Sequence, residues 1–124
     1  MKILVVDDEK DVQVLFEQRF RKEIKSGEMD IAFAFSGEEA LEYMKANDHE
    51  AVLILSDINM PGMSGLELLQ HIRREFKPGH PSVFMITAYG DSENYHEAIS
   101  LGASDLLTKP LDFNLLRQKL HLES

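Results

Sequence analysis

At 124 residues the chain has room for one domain with a sizeable core, expected over residues 1–124, and not for a second folded module. Its hydrophobic content of 44% contains no run near the roughly 20 apolar residues of a membrane span, and the apolar stretch after Met1 is too short for a signal peptide, so a cytoplasmic location without membrane attachment is expected. The absence of cysteine excludes disulfides and thiol chemistry, which leaves any metal to oxygen or imidazole ligands, and the net charge of -9 argues against nucleic-acid binding by this chain alone.

The first element is the strand Ile3 to Val6, which ends in Asp7, Asp8 and Glu9. A helix follows, with Val12, Leu15, Phe16, Phe20 and Ile24 at helical spacing and Gly27 where it should stop. Ile31 to Phe35 reads as the second strand, and Ser36 followed by Glu39 reads as a capping box that opens a helix over Gly37 to Ala46. The third strand, Val52 to Leu55, runs into Ser56, Asp57, Ile58, Asn59, Met60, Pro61 and Gly62. Ser64 and Glu67 then cap a helix to Phe76, with Gly79 near its end. Val83 to Ile86 is the fourth strand and continues into Thr87 and Ala88; an acidic, solvated start at Asp91, Ser92 and Glu93 introduces a helix from Ser92 to Leu101, stopped by Gly102. The short Leu106-Leu107 strand leads to Thr108, Lys109 and Pro110, and a helix over Phe113 to Leu120 completes the chain.

Five strands alternating with five helices predict an α/β fold with a doubly wound parallel sheet. Nearly continuous apolar strands agree with burial on both faces. In the flavodoxin-like order 2-1-3-4-5 the first and third strands are neighbours, and ligands sit beyond the carboxyl ends of strands where the order reverses. Asp7, Asp8 and Asp57 should therefore converge, with Thr87 and Lys109 on the same edge.

Three clustered carboxylates repel unless positive charge sits among them. A divalent cation with Lys109 balances them, and Mg²⁺, or Mn²⁺, with its preference for oxygen ligands and phosphate, is the expected cofactor. An aspartate carboxylate can also be the nucleophile of phosphoryl transfer. Taken singly these residues have plainer readings: Asp7 and Asp8 as a helix cap, Asp57 as a strand end, Lys109 as a surface lysine and Thr87 as strand filler. Their joint placement favours a phosphate and metal site. The histidines at 49, 71, 80, 96 and 121 show no metal-ligand spacing and read as surface residues. The segment Pro61 to Gly65 lacks a Walker lysine and reads as a turn, while Met60, Met63 and Met85 read as packing.

From about Ile3 to Leu120 the chain resembles the receiver domains of two-component response regulators. The likeness rests on Asp7-Asp8 after an Ile-Leu-Val-Val strand, the run from Asp57 to Gly65, Met85-Ile86-Thr87-Ala88, and Gly102-Ala103 through Thr108-Lys109-Pro110. It implies that Asp57 accepts a phosphoryl group and ligates Mg²⁺ with Asp8 and the backbone carbonyl of Asn59. Asp7 would help through water, Lys109 would pair with the phosphoryl oxygens, and Thr87 would turn its hydroxyl towards them. It implies a cis Lys109–Pro110 peptide that aims the lysine into the crevice, and roles for Asn59 and Tyr89 in water access. Leu106 departs from the Tyr or Phe that many receivers carry there, so the signal is expected to leave through Thr87 and the loop after it. The implied partners are a sensor histidine kinase or histidine phosphotransfer protein and an output domain or protein, with a dimer that forms on phosphorylation. The expected response lies in the face of the fourth helix, fifth strand and fifth helix, with Tyr95, Leu106 and Phe113 as its markers. Such a switch would act on itself alone and would not be an enzyme in the ordinary sense. Two alternatives are a small aspartate-nucleophile phosphatase, which usually carries Asp-x-Asp where this chain has Asp57-x-Asn59, and a receiver-like scaffold that binds partners without phosphorylation.

Overall fold

The computed structural model describes residues 1–47, 53–76, 81–88 and 92–120. Five strands, β1 (Lys2–Val6), β2 (Asp30–Ala34), β3 (Leu53–Asp57), β4 (Ser82–Ala88) and β5 (Asp105–Lys109), form one parallel sheet in the order β2-β1-β3-β4-β5. The helices are α1 (Asp11–Arg19), α2 (Arg21–Ser26), α3 (Gly37–Ala46), α4 (Gly65–Glu75), α5 (Ser92–Ser100) and α6 (Phe113–Lys119). The expected doubly wound, flavodoxin-like α/β class and strand order are present. Val52, Gly79, Tyr89 and Asp91, with His49, His80 and His121, lie outside the described residues.

One expectation is corrected: the described residues form six helices, because the first predicted helix is two. The chain leaves helical geometry at Phe20 (φ -110°, ψ 23°), whose ring is buried against Phe16 and Phe113 at centroid distances of 5.9 and 5.7 Å. Beyond this bend the buried position of α2 is Glu23, while Ile24 is 36% exposed; Leu15 in α1 is also exposed. The apolar spacing of the segment therefore overstated how much of it faces the core.

Alternation along the strands divides the interior into two layers. Leu4, Val6, Ile54, Val83 and Met85 pack under α3, α4 and α5, against Leu41, Met44, Leu68, Leu69, Ile72 and Ala98. Ile3, Val5, Leu55, Ile86 and Leu107 pack on the other face against Phe16, Phe20 and Leu116. Ser64 and Glu67 form the full reciprocal capping box of α4. At α3 the Ser36 hydroxyl accepts the Glu39 amide, whereas the Glu39 carboxylate takes the amide of Phe35. Gly27 and Gly102 end α2 and follow α5 with positive φ, as their positions predicted.

Candidate functional site

The carboxyl ends of the strands present the polar edge that the topology required. Val6 pairs with Ser56, so Asp7 and Asp8 emerge from β1 beside Asp57, the last residue of β3. Asp57 pairs with Ile86, and Ala88 with Lys109, which brings the ends of β4 and β5 to the same edge. One carboxylate oxygen from each of Asp7, Asp8 and Asp57 lies within 4.8 Å of the others. Asp7 and Asp57 are buried and Asp8 is exposed.

The Lys109 ammonium donates to Asp57 Oδ2 at 2.8 Å, and the Asn59 amide donates to Asp57 Oδ1 at 3.2 Å. Lys109 follows the face of Leu107, while alternation assigns Thr87 to the face of Met85, so the two approach the edge from opposite sides of the sheet. The Lys109–Pro110 peptide is cis. Thr87 is 3% exposed, and its hydroxyl has no hydrogen-bond partner among the described residues. A buried hydroxyl left without a partner is unusual.

Burial raises the pKa of Asp7 above the ordinary aspartate value; the Glu9 amide on its Oδ1 opposes this, while the negative charges of Asp57 and Asp8 add to it. Burial works against the Lys109 ammonium, but its bond to Asp57 and the fields of Asp57, Asp7 and Glu9 prevail and hold its pKa above the usual lysine value. Three converging oxygen donors with one bonded ammonium leave net negative charge in a half-enclosed site. Such a donor set suits a hard divalent cation such as Mg²⁺. The plainer reading of Asp7 and Asp8 as a helix cap finds no support, since the residue preceding α1 is Lys10 and no side chain caps that end.

Other expectations concern the surroundings. Met60 and Met85 are buried and Met63 is half-buried, in keeping with packing, while His96 is exposed and His71 is half-buried beside Glu75. Leu106 is half-buried against the layer under α4, Tyr95 is 49% exposed, and Phe113 packs on Phe16 with ring centroids 5.2 Å apart. The sequence reading missed two residues. Ser56, fully buried, donates its hydroxyl to the carbonyl of Asp57 at 3.1 Å. Gly65 lets the start of α4 lie against Asp57: a Cβ there would stand 2.1 Å from the Asp57 carbonyl oxygen. In the sequence Gly65 stands directly after a cap but reads as part of a turn, and Ser56 gives no signal beyond a polar residue inside an apolar run.

Comparison with known proteins agrees with this geometry. The family model for the response regulator receiver domain matches residues 3–121. The chain is 39% identical over 121 residues to the response regulator protein PilR of Pseudomonas aeruginosa, covering 94% of the chain and 24% of that protein. It is 32% identical over 120 residues to a chemotaxis protein CheY homologue of Campylobacter jejuni, covering 97% of the chain and 89% of that protein. The crystal structure of a response regulator receiver protein from Pseudomonas putida superposes with a TM-score of 0.81 at 27% identity, covering 97% of this chain and 94% of the other. The chain thus spans about a quarter of PilR and most of the Campylobacter protein. With the family model matching residues 3–121, nearly the whole chain, and with the sheet in the order β2-β1-β3-β4-β5, the chain belongs to the response regulator receiver domains, the signalling switches of two-component systems.

Proposed function

We propose that Asp57 accepts a phosphoryl group from the phosphohistidine of a sensor histidine kinase or histidine phosphotransfer protein. The observation that carries this reading is the position of Asp57, buried at a strand end between the carboxylates of Asp7 and Asp8 and the ammonium of Lys109. An Asp57 carboxylate oxygen attacks phosphorus, the phosphorus–nitrogen bond breaks, and its electron pair returns to the donor imidazole. Asn59 and Lys109 each hold one carboxylate oxygen, which fixes the orientation of the nucleophile. Lys109 then shifts its donors to the arriving phosphoryl oxygens, and Thr87 gains the acceptor that its hydroxyl lacks. Asp8, Asp57 and the Asn59 carbonyl would hold Mg²⁺ or Mn²⁺, with Asp7 acting through water. The cation would supply charge neutralisation at the transferring oxygens.

The readout of this switch is a shift in the face of α5, β5 and α6, towards an output domain or protein. Two features favour an exit through Thr87 and the residues after it: the unpartnered hydroxyl, and Leu106 in place of a rotating ring. Among the described residues of α5 only Ala98 is buried, which leaves that helix lightly anchored. A hydrolase is disfavoured because Asn59, exposed and bonded to Asp57 only through its backbone amide, offers no second acid.

Incubation with a small acyl phosphate and Mg²⁺, followed by intact mass, tests the proposal. One phosphate adduct that disappears in Asp57→Asn is expected. Steady turnover of phosphate esters would move the reading to a hydrolase, and an unmodified chain would leave a scaffold.

A further inference from the structure

The loop between β3 and α4 carries Asn59, and its hold on the rest of the molecule is uneven. At its start the Ile58 amide donates to Ile86, and the Ile58 carbonyl accepts the Gly65 amide at 2.8 Å. Ile58 and Met60 are buried in the core, whereas Asn59, Pro61 and Gly62 are exposed. The far side of the loop rests on α3. A Cβ built on Gly37, the first residue of α3, would lie 2.6 Å from Met63 Sδ, 2.9 Å from its Cγ and 3.1 Å from its Cβ. The Met63 side chain therefore occupies the space that any other residue at position 37 would fill. A second approach lies beside it: the Glu38 carboxylate is 3.6 Å from the Cβ position of Gly62.

We infer that Gly37 and Met63 form a positioning pair, a socket and knob that fix the seating of the Asn59 loop against the carboxylates, and so tune metal affinity at Asp57. This rests on the metal reading of the Asp7, Asp8 and Asp57 cluster. Neither residue touches that cluster; both act through the loop. The contact is tight along the whole Met63 side chain: its Sδ and Cγ would have to turn aside for a methyl group on residue 37, while its Cβ, fixed to the loop backbone and 3.1 Å away, yields only if the loop shifts. A methyl group on residue 37 pushes the knob out, and truncating Met63 leaves the socket empty. Combining the two changes lets the methyl group of residue 37 occupy the vacated space, so their effects should oppose rather than add.

The test is a double-mutant cycle of Gly37→Ala and Met63→Ala on ¹⁵N-labelled protein. Amide shifts are recorded without metal and through a Mg²⁺ titration, with thermal unfolding in chelator as a separate measurement. Each single variant should displace the Asn59 amide resonance in the metal-free protein and weaken apparent Mg²⁺ affinity about five-fold or more. The double variant should return the resonance towards its original position and the affinity to within about two-fold of the parent, whatever the changes in thermal stability. Single variants that leave the Asn59 resonance in place, or a double variant whose deficit is the product of the two, would overturn the pairing. A parent protein that fails to saturate with Mg²⁺ would instead refute the metal reading, and the metal-free Asn59 shifts would still decide whether the pair seats the loop.

Discussion

Asp7 and Glu23 are two carboxylates buried to nearly the same degree, 7% and 5% exposed, and they are held in opposite ways. Glu23 accepts hydrogen bonds from the Arg117 guanidinium, which also donates to the Arg19 carbonyl and lies over the Phe20 ring. The Arg117 bond, opposed by burial, holds the Glu23 pKa below the usual glutamate value. Asp7 receives only the Glu9 amide among the described residues and faces two other carboxylates, and its pKa is raised. One charge is settled within the fold and ties α6 to the bend between α1 and α2. The other is left short of compensation at the edge where a cation and a phosphoryl group are proposed to act. Burial alone thus does not distinguish a compensated carboxylate from an uncompensated one; the partner does.

This contrast can be sharpened from its settled side first. Phe16→Ala, which removes the ring that packs on Phe20, Phe33 and Phe113, should cost about 3–5 kcal/mol in urea unfolding. Glu23→Gln should cost about 1.5–3 kcal/mol, since it strips the charge from a charge-assisted pair. The same pair predicts a pH dependence. Because the folded pKa of Glu23 is depressed, its stabilisation is fully present above the unfolded value and is lost as pH falls through the folded one. The stability difference between the parent and Glu23→Gln should accordingly shrink in acid. On the unsettled side Thr87→Val should stabilise the unphosphorylated protein by about 1 kcal/mol, because it deletes a buried hydroxyl that has no partner among the described residues. It should also blunt the response of α5 to phosphorylation, read as amide shifts in that helix. A destabilised Thr87→Val would mean that the hydroxyl is already satisfied.

Much of this was legible in the residues. Apolar runs placed all five strands, the Ser36 cap placed α3 at its observed bounds, and topology brought Asp7, Asp8, Asp57 and Lys109 to one edge. What escaped depended on contacts between distant residues. The spacing of Val12, Phe16, Phe20 and Ile24 reads as one helix, and nothing local shows that Phe20 leaves helical geometry where its ring packs on Phe113. Nothing local marks Glu23 as buried, because its partner Arg117 lies 94 residues later in the chain. Gly37 reads as a helix start and Gly65 as the end of a turn, and only the fold shows which atoms crowd them.

The most direct test of the contrast between the two carboxylates is urea unfolding of Asp7→Asn at neutral pH without divalent cations. Asparagine keeps an oxygen for the Glu9 amide and removes the uncompensated charge. The raised folded pKa of Asp7 means that its ionised form weakens the fold in full above that pKa, and that the penalty fades as pH falls below it and is gone below the unfolded value, opposite in sign to Glu23. Asp7→Asn should therefore be more stable than the parent in metal-free buffer and gain less stability on addition of Mg²⁺. An Asp7→Asn protein that is less stable than the parent would contradict the account, because Asp7 would then be a settled structural charge like Glu23.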